Sequence, residues 1–588
     1  MPVCKIKKKG QDQASDSGGA ELERVCIIFS FGNFFFVCVC VCLGSFPFFL
    51  FLLCIPHLLP TFFFFVLLYV HTCLFVMASK KKSSISTTEN SSASIVPTNA
   101  EEIVDVLIVG AGLSGVDAGM HLSKECPDLR YVILEGRESM GGTWDLFRYP
   151  GIRSDSDMFT LGFGLKPWTK AKTLADGPSI LEYIKEAARE FRVEEHIRLN
   201  HRVVRAEWDS EQGLWTVLVH KGSNGSGGME KAVFLTRFLF VCSGYYNYEH
   251  GNCPDFPGID KFTGQVVHPQ KWDVDLDYTG KQVVIIGSGA TAVTLLPAMA
   301  DKAAHVTMLQ RSPTYVASLP PVDFVGRWLM SILPITLAYT LVRWKNMLIG
   351  LFFYNLARTF PNFMKGLLRK GVQKFFGDDS KMLASFQPRY NPWEQRLCFM
   401  PDADLFRAIR QGQASVVTGL IETFTPTGIR LTSGQELPAD VVVTATGLEL
   451  LAMGGIQFVV DKQEVRLGEK ISYRGAMISD MPNFAYILGY LNASWTLKAD
   501  LSCQFVVRLL KEMRTKSARK VVPSLLPGEK LALKAWATDF SSNYLLRAMG
   551  QFPQQGDVGP WRVHQNYLRD WFTLKFSKVE DKYLRFSS

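Results

Sequence analysis

Between Val25 and Ser79 the sequence has no Lys, Arg, Asp or Glu. After Met77 cysteine becomes scarce: five of the twelve remain, Cys126, Cys242, Cys253, Cys398 and Cys503. They lie far apart and none sits in a Cys-x-x-Cys pair. That pattern excludes a disulfide framework and a redox dithiol, leads us to expect no metal site, and points to a reducing compartment. A strong charge bias is missing too. The 64 basic and 55 acidic residues leave +9 over 588 residues. This is too mild for a nucleic-acid footprint and supports only attraction to acidic surfaces or phosphorylated ligands. With 47% hydrophobic and 20% charged residues, wholesale disorder is excluded. The length suits about three to four domains with large cores.

The averages conceal a seam. Residues 1–77 hold the other seven cysteines and fourteen of the 42 phenylalanines. The uncharged run is long enough for two membrane spans of about 20 residues each, with Pro56 and Pro60 between them. One reading is a hydrophobic anchor of one or two helices. The preferred reading is that the segment arises from the gene model. Val37-Cys-Val-Cys-Val-Cys42 is what an alternating GT tract encodes, and Phe62–Phe65 is what a T-rich tract encodes. Met77-Ala-Ser-Lys-Lys-Lys82 then looks like an ordinary start, followed by a Ser/Thr-rich disordered leader to about residue 100. The expected location is cytoplasmic or membrane-associated, and integral only if residues 26–77 are translated.

Past residue 100 the sequence becomes informative. Ile103–Val109 is an apolar run suited to a buried parallel strand. Gly110-Ala-Gly112-Leu-Ser-Gly115 follows at once, then a helical stretch, then Tyr131-Val-Ile-Leu-Glu135. Strand, GxGxxG, helix, strand and acid make a dinucleotide-binding fingerprint. The first glycine permits the turn, the second lets backbone approach a pyrophosphate, and the third lets helix and strand pack closely. Glu135 suits a ribose diol. A second unit opens with Lys281-Gln-Val-Val-Ile-Ile286 and Gly287-Ser288-Gly289-Ala290-Thr291-Ala292-Val293. Glu135 lies 23 residues after Gly112 and Arg311 lies 22 after Gly289. A carboxylate would repel a ribose 2′-phosphate, whereas Arg311 would pair with it. The two sites are therefore expected to hold FAD and NADPH. Asp440-Val-Val-Val-Thr-Ala-Thr-Gly447 reads as a late strand completing the FAD domain.

Two longer motifs carry a resemblance. Phe262-Thr-Gly264-Gln-Val-Val-His268-Pro-Gln-Lys-Trp272-Asp273 and Gly142-Thr143-Trp144-Asp145-Leu146-Phe-Arg-Tyr149-Pro-Gly151-Ile-Arg-Ser-Asp155 match the fingerprints of class B flavoprotein monooxygenases, specifically Baeyer–Villiger monooxygenases. The chain is most similar to their ethionamide-activating branch. On the residues alone, His268 and Trp272 also fit a packed aromatic pair. The resemblance makes their stretch (Phe262, Gly264, His268, Trp272, Asp273) a coupling motif between the FAD and NADP domains. It places Ser114, Glu135, Thr143 to Leu146, Asp155 and Val203 on or near the flavin, and Ser312 beside Arg311 at the NADP site. It makes Arg396, in Trp393-Glu-Gln-Arg396-Leu-Cys398, the catalytic arginine, tuned by Asp155. Gln395 stands where many relatives carry Lys, which leaves Arg311 as the main 2′-phosphate anchor.

The resemblance implies an α/β fold: two Rossmann-like dinucleotide-binding domains with a helical insertion, and about 100 N-terminal residues outside it. The expected divisions are 1–77 (hydrophobic segment) and 78–100 (leader). Residues 101–245 and 436–588 form the FAD domain, 262–315 and 385–435 the NADP domain, and 316–384 the helical insertion. The implied activity is NADPH- and O₂-dependent oxygenation of lipophilic ketones, and of sulfides or thioamides, through a C4a-peroxyflavin. Rival readings are an N- or S-oxygenating flavin monooxygenase without ketone activity, a flavin reductase, and a membrane protein with non-catalytic nucleotide folds. Residues 320–377 carry eight basic residues against one acid, Asp323. They read as helices roofing the substrate pocket, with possible contact to an anionic membrane.

Overall fold

The computed structural model describes residues 24–31, 34–43 and 46–54, then 100–222, 230–538 and 540–588. The chain divides into two units, Met1–Ile95 and Val96–Ser588. In the first, strands Arg24–Phe31, Phe34–Leu43 and Phe46–Cys54 pair antiparallel in sequence order. Where the expected membrane helices fall on described residues, the backbone is therefore extended. The start at Met77 and the leader fall outside the described residues. No described helix is long and apolar enough to cross a membrane.

The second unit begins with β1 (Ala100–Val109), α1 (Leu113–Glu125) and β2 (Tyr131–Leu134). Val106 and Ile108 are buried on one face of β1, against α1, while Leu107 and Val109 are buried on the other. Burial on both faces is why this strand reads as a continuous apolar run. The sheet continues with β3 (Ile197–Arg198), β4 (His201–Asp209), β5 (Leu214–Lys221) and β6 (Glu230–Val241). The side of β1 that carries Leu107 packs on Trp208 and Trp215 of the β4–β5 hairpin.

The second dinucleotide fold holds β7 (Gln265–Val267), β8 (Gln282–Ile286), α2 (Ala290–Ala300) and β9 (His305–Gln310). A short strand, β10 (Val316–Leu319), leads into three helices, α3 (Phe324–Ile332), α4 (Ile335–Thr359) and α5 (Pro361–Phe376). Asp323 caps α3 by accepting from Gly326 N, and Pro361 opens α5 at a position where its missing N–H costs nothing. The chain returns through β11 (Cys398–Pro401), β12 (Ala414–Thr418) and β13 (Val441–Thr444). It ends in the first fold with β14 (Gln457–Val460), β15 (Gln463–Val465), β16 (Phe484–Tyr486) and α6 (Trp495–Thr515).

The first sheet runs β15-β14-β4-β5-β6-β1-β2-β3, with β16 also paired to β6. The second is β7-β13-β8-β9-β12, parallel throughout. This corrects the place given to residues 440–447. Val441–Thr444 is an interior strand of the second sheet, not the completion of the first. The reason is burial: Val441 and Val443 fill one core of that sheet and Val442 the other. The second dinucleotide fold therefore extends to Thr444, past the boundary at 435 expected for it.

The helical insertion is present where expected, but it does not roof the large cavity, since none of α3, α4 or α5 lines it. Helix α4 is instead tied to the first fold. The buried Arg343 donates through Nη1 to Phe159 O at 2.8 Å and Gly162 O at 2.6 Å, and Tyr339 Oη donates to Phe163 O at 3.0 Å.

Candidate active site

One cavity of about 1020 Å³ is lined by the turns of both dinucleotide folds. The first fingerprint builds one wall. Gly110 has φ +97°, and a Cβ there would meet Cys242 O at 2.9 Å. On Gly115 a Cβ would sit 1.8 Å from Gly110 O, so this glycine lets α1 close onto β1. Gly112 caps α1 with no side chain, leaving the first-turn N–H groups bare toward the cavity. Opposite it, Gly142 (φ +55°) approaches so closely that a Cβ on it would lie 3.0 Å from Gly112 Cα. A bare helix N-terminus between two glycine turns fits a pyrophosphate, and with it FAD.

Glu135 ends β2 at the cavity wall. Burial pushes its carboxyl up, against the bonds it accepts from Ala111 N (Oε2, 2.8 Å) and Arg137 N (Oε1, 3.0 Å). Each oxygen keeps a lone pair for a ribose hydroxyl. Ser114, Thr143, Trp144, Leu146, Asp155 and Val203 also line the cavity. Asp145 does not. It is buried and turned away, held by Ser139, by Arg137 at 2.8 Å and by Arg148 at 2.8 Å.

The second fingerprint is only partly at the cavity. Ala290 and Thr291 line it. Ala292 and Val293 are core residues packed under β8. Gly287 (φ +132°) turns against Ala445 O, and Gly289 faces open space where a ligand phosphate would lie. Ser288 Oγ bonds Thr314 Oγ1 at 2.8 Å and donates to Ser312 O at 3.1 Å. Arg311 and Ser312 are exposed at the end of β9. Arg311 has no hydrogen bond or ion pair among the described residues, so its guanidinium is available to a phosphate.

Arg396 reaches the cavity from a loop fixed locally. Glu394 accepts from Asn391 N at 2.9 Å and Asn391 Nδ2 at 2.7 Å, and Trp393 adopts φ +68°. The guanidinium grips Asp155 bidentately, Nε to Oδ2 at 2.9 Å and Nη2 to Oδ1 at 2.7 Å. Its side chain is still 43% exposed, toward the cavity. Asp155 holds the guanidinium pKa above its ordinary value against burial, so the charge is permanent. The phenols of Tyr245, Tyr246 and Tyr544 surround it.

Sequence reasoning missed Tyr245, Tyr246, Tyr248, Phe399 and Trp495, which also line this cavity. Trp495 Nε1 donates to Ser114 Oγ at 2.8 Å, and Tyr248 Oη lies 3.3 Å from Thr143 Oγ1. The available signal was the run Gly244-Tyr-Tyr-Asn-Tyr248 just past the end of β6. The stretch expected to couple the two domains lies beside the cavity, which its Lys271 lines. Phe262 packs edge-on to Phe424, and a Cβ on Gly264 would strike Asp440 O at 2.3 Å. The His268 ring covers Gly251, its Nδ1 accepts from Gln270 N at 3.2 Å, and burial pushes its pKa down. Trp272 packs on the second core, and Asp273 accepts from Asp275 N. The flanking chain is laced to the end of β13: Asn252 N donates to Gly447 O at 3.0 Å, and Asn252 Nδ2 to Thr446 O at 3.0 Å.

Two nucleotide folds closing on one cavity with a clamped arginine define a dinucleotide-dependent flavoprotein. Residues 173–450 match the family of flavin-binding monooxygenase-like proteins, and residues 92–169 match the Thi4 family. The chain is 50% identical over 487 residues to the FAD-containing monooxygenase EthA of Mycobacterium tuberculosis, covering 83% of this chain and 98% of that one. It is 46% identical over 489 residues to the probable FAD-binding monooxygenase AlmA of Acinetobacter baylyi, covering 83% and 96%. A solved steroid monooxygenase bound to NADP shares the fold, with a TM-score of 0.60 and 22% identity over 72% of this chain and 88% of that one. The chain belongs to the FAD-containing monooxygenase family. The expectation of an FAD- and NADPH-dependent monooxygenase agrees with these likenesses.

Proposed function

We propose that this monooxygenase is of the Baeyer–Villiger type. With NADPH as hydride donor it places one oxygen atom of O₂ beside the carbonyl of a small lipophilic ketone, and it oxygenates sulfides or thioamides. The other oxygen atom leaves as water. When bound, FAD supplies the activation of O₂. Gly112, Gly142 and Glu135 would hold its pyrophosphate and ribose, while Gly289 and Arg311 would hold the NADPH phosphates.

The observation that carries the reading is the Arg396–Asp155 pair inside the cavity shared by both fingerprints. Asp155 fixes the guanidinium in the plane of its two bonds and leaves its remaining N–H donors aimed into the cavity. A permanent cation, already oriented, stabilises negative charge developing on an oxygen of the reacting carbonyl, an effect commonly worth about 3–4 kcal/mol. Leu146, Phe399, Leu448 and Leu451 line the same space and limit water.

The test is product analysis with a lipophilic ketone and a thioether in parallel. Arg396→Ala should keep bound FAD and continue to oxidise NADPH, with ester yield down by about 10²- to 10³-fold. Undiminished ester from the variant would remove Arg396 from the role. Sulfoxide without ester from the parent would favour the N- or S-oxygenating reading. Colourless purified protein, unchanged by NADPH, would favour a non-catalytic nucleotide fold.

A further inference from the structure

The insertion helices present an apolar face to solvent. Phe324 on α3 is 74% exposed and Trp328, one turn on, 61%. Val325 and Ile332 are exposed beside them. On α4, Leu337, Leu341, Leu348 and Phe352 recur at spacings that place them on one stripe, and all are exposed. Phe360 continues the surface at the corner, and Phe363, 61% exposed, and Leu367 carry it onto α5. Exposed apolar residues scattered singly need no explanation, but a contiguous set this large marks a surface that meets something apolar.

Charge selects the partner. Arg327, Arg358, Lys365, Arg369, Lys370 and Lys374 stand on the same three helices, and no side chain among them makes a hydrogen bond or ion pair with the described residues. The acids nearby are few and engaged. Asp323 is bound by Lys345 Nζ and Gly326 N, and Asp378 by Gln373 Nε2. Asp379 caps the following short helix, and Glu394, held by Asn391, senses Arg358 and Lys365. Large aromatic side chains flanked by unpaired cations match the interface of an anionic bilayer, whose acyl boundary takes the rings and whose headgroups take the charges.

We propose that the outward face of α3–α5 docks peripherally on anionic membrane surfaces. The opposite side of α4 is fastened to the first fold through Arg343, so the docked face is rigidly linked to the rest of the enzyme. Tyr354 of α4 meets Trp393 edge-on at 5.6 Å, three residues before Arg396, and Trp393 in turn meets the cavity residue Phe399. A lipophilic substrate dissolved in the bilayer is thus presented beside the loop that carries the cavity arginine. The docking itself stands independently of the proposed ketone chemistry.

The test is co-sedimentation of the full-length holoenzyme with vesicles of phosphatidylcholine alone or mixed with phosphatidylserine. The parent should partition at least tenfold more strongly onto the anionic vesicles, and salt should weaken it. The triple variant Phe324→Ser, Trp328→Ser, Phe363→Ser should lower partition at least tenfold. The variant Arg369→Ala, Lys370→Ala, Lys374→Ala should lower it by about fivefold per residue on anionic vesicles only. These positions are exposed, and retained flavin absorbance reports that each variant folds. No partition, equal partition onto neutral vesicles, or binding unchanged in both variants because residues 25–79 carry it, would overturn the proposal. So would a dimer of this chain that the triple variant dissociates in the absence of vesicles.

Discussion

Asp117 is fully buried on α1 and neither of its oxygens has a hydrogen-bond partner. Burial, then the neighbouring Asp500, pushes its carboxyl up to about 8. His121, one turn on, is held up to about 10. Burial opposes its charge, but the side-chain bonds to Asp500 at 3.0 Å and Glu125 at 3.3 Å outweigh that cost. Asp117, His121 and Asp500 bring ligand-type atoms within 4.8 Å of one another, a cluster that no spacing in the chain announces. The His121–Asp500 bond makes it an ion network. Both raised groups bind protons more tightly in the fold than in the unfolded chain. The contribution of Asp117 is full below about pH 4 and lost as pH rises through about 8; that of His121 is full below about 6.5 and lost through about 10. Thermal melts from pH 4 to 10 should show this alkaline loss. Asp117→Asn should melt above the parent at pH 9, with the gap closing as pH falls toward 4. An Asn variant that melts lower at pH 9 would mean that Asp117 is stabilising as a carboxylate.

At the scale of elements, the two fingerprint turns differ in what their glycines do. Gly115→Ala puts a methyl 1.8 Å from backbone that cannot yield, so α1 must lift from β1. The expected cost is about 3 kcal/mol or more, with loss of bound flavin, seen as a lower Tm and colourless protein. Gly289→Ala meets no protein atom within 4 Å. Its melt should stay within about 1 kcal/mol of the parent, while the KM for NADPH rises as the methyl intrudes on the phosphate. These elements were legible in the sequence because strand, turn and helix are fixed by neighbours a few residues away. Arg396 is legible only through resemblance, since its partner Asp155 is 241 residues distant. The interior place of Val441–Thr444 was misread for the same reason: an apolar strand declares that it is buried, not which sheet buries it. Asp145 was placed with its motif neighbours on the flavin, but Arg137 and Arg148 claim its carboxylate.

For the molecule as a whole, one cavity is walled by both nucleotide folds, so filling it should stiffen more than a single domain. Binding at about a hundredfold over Kd adds about 2.7 kcal/mol to the native state. Calorimetry should therefore show FAD-stripped protein melting several degrees below the holoenzyme, with recovery on adding FAD. Equal melts would mean that the native fold does not bind FAD in preference to the unfolded chain. The carboxylate–guanidinium grip between Asp155 and Arg396 also bears on recombination. Its two halves come from segments that a chimera of related monooxygenases would inherit from different parents. An exchange with a parent that lacks the matching residue leaves a cation or an anion stranded in the wall, so with such a parent functional hybrids should be found only among crossovers that transplant both together.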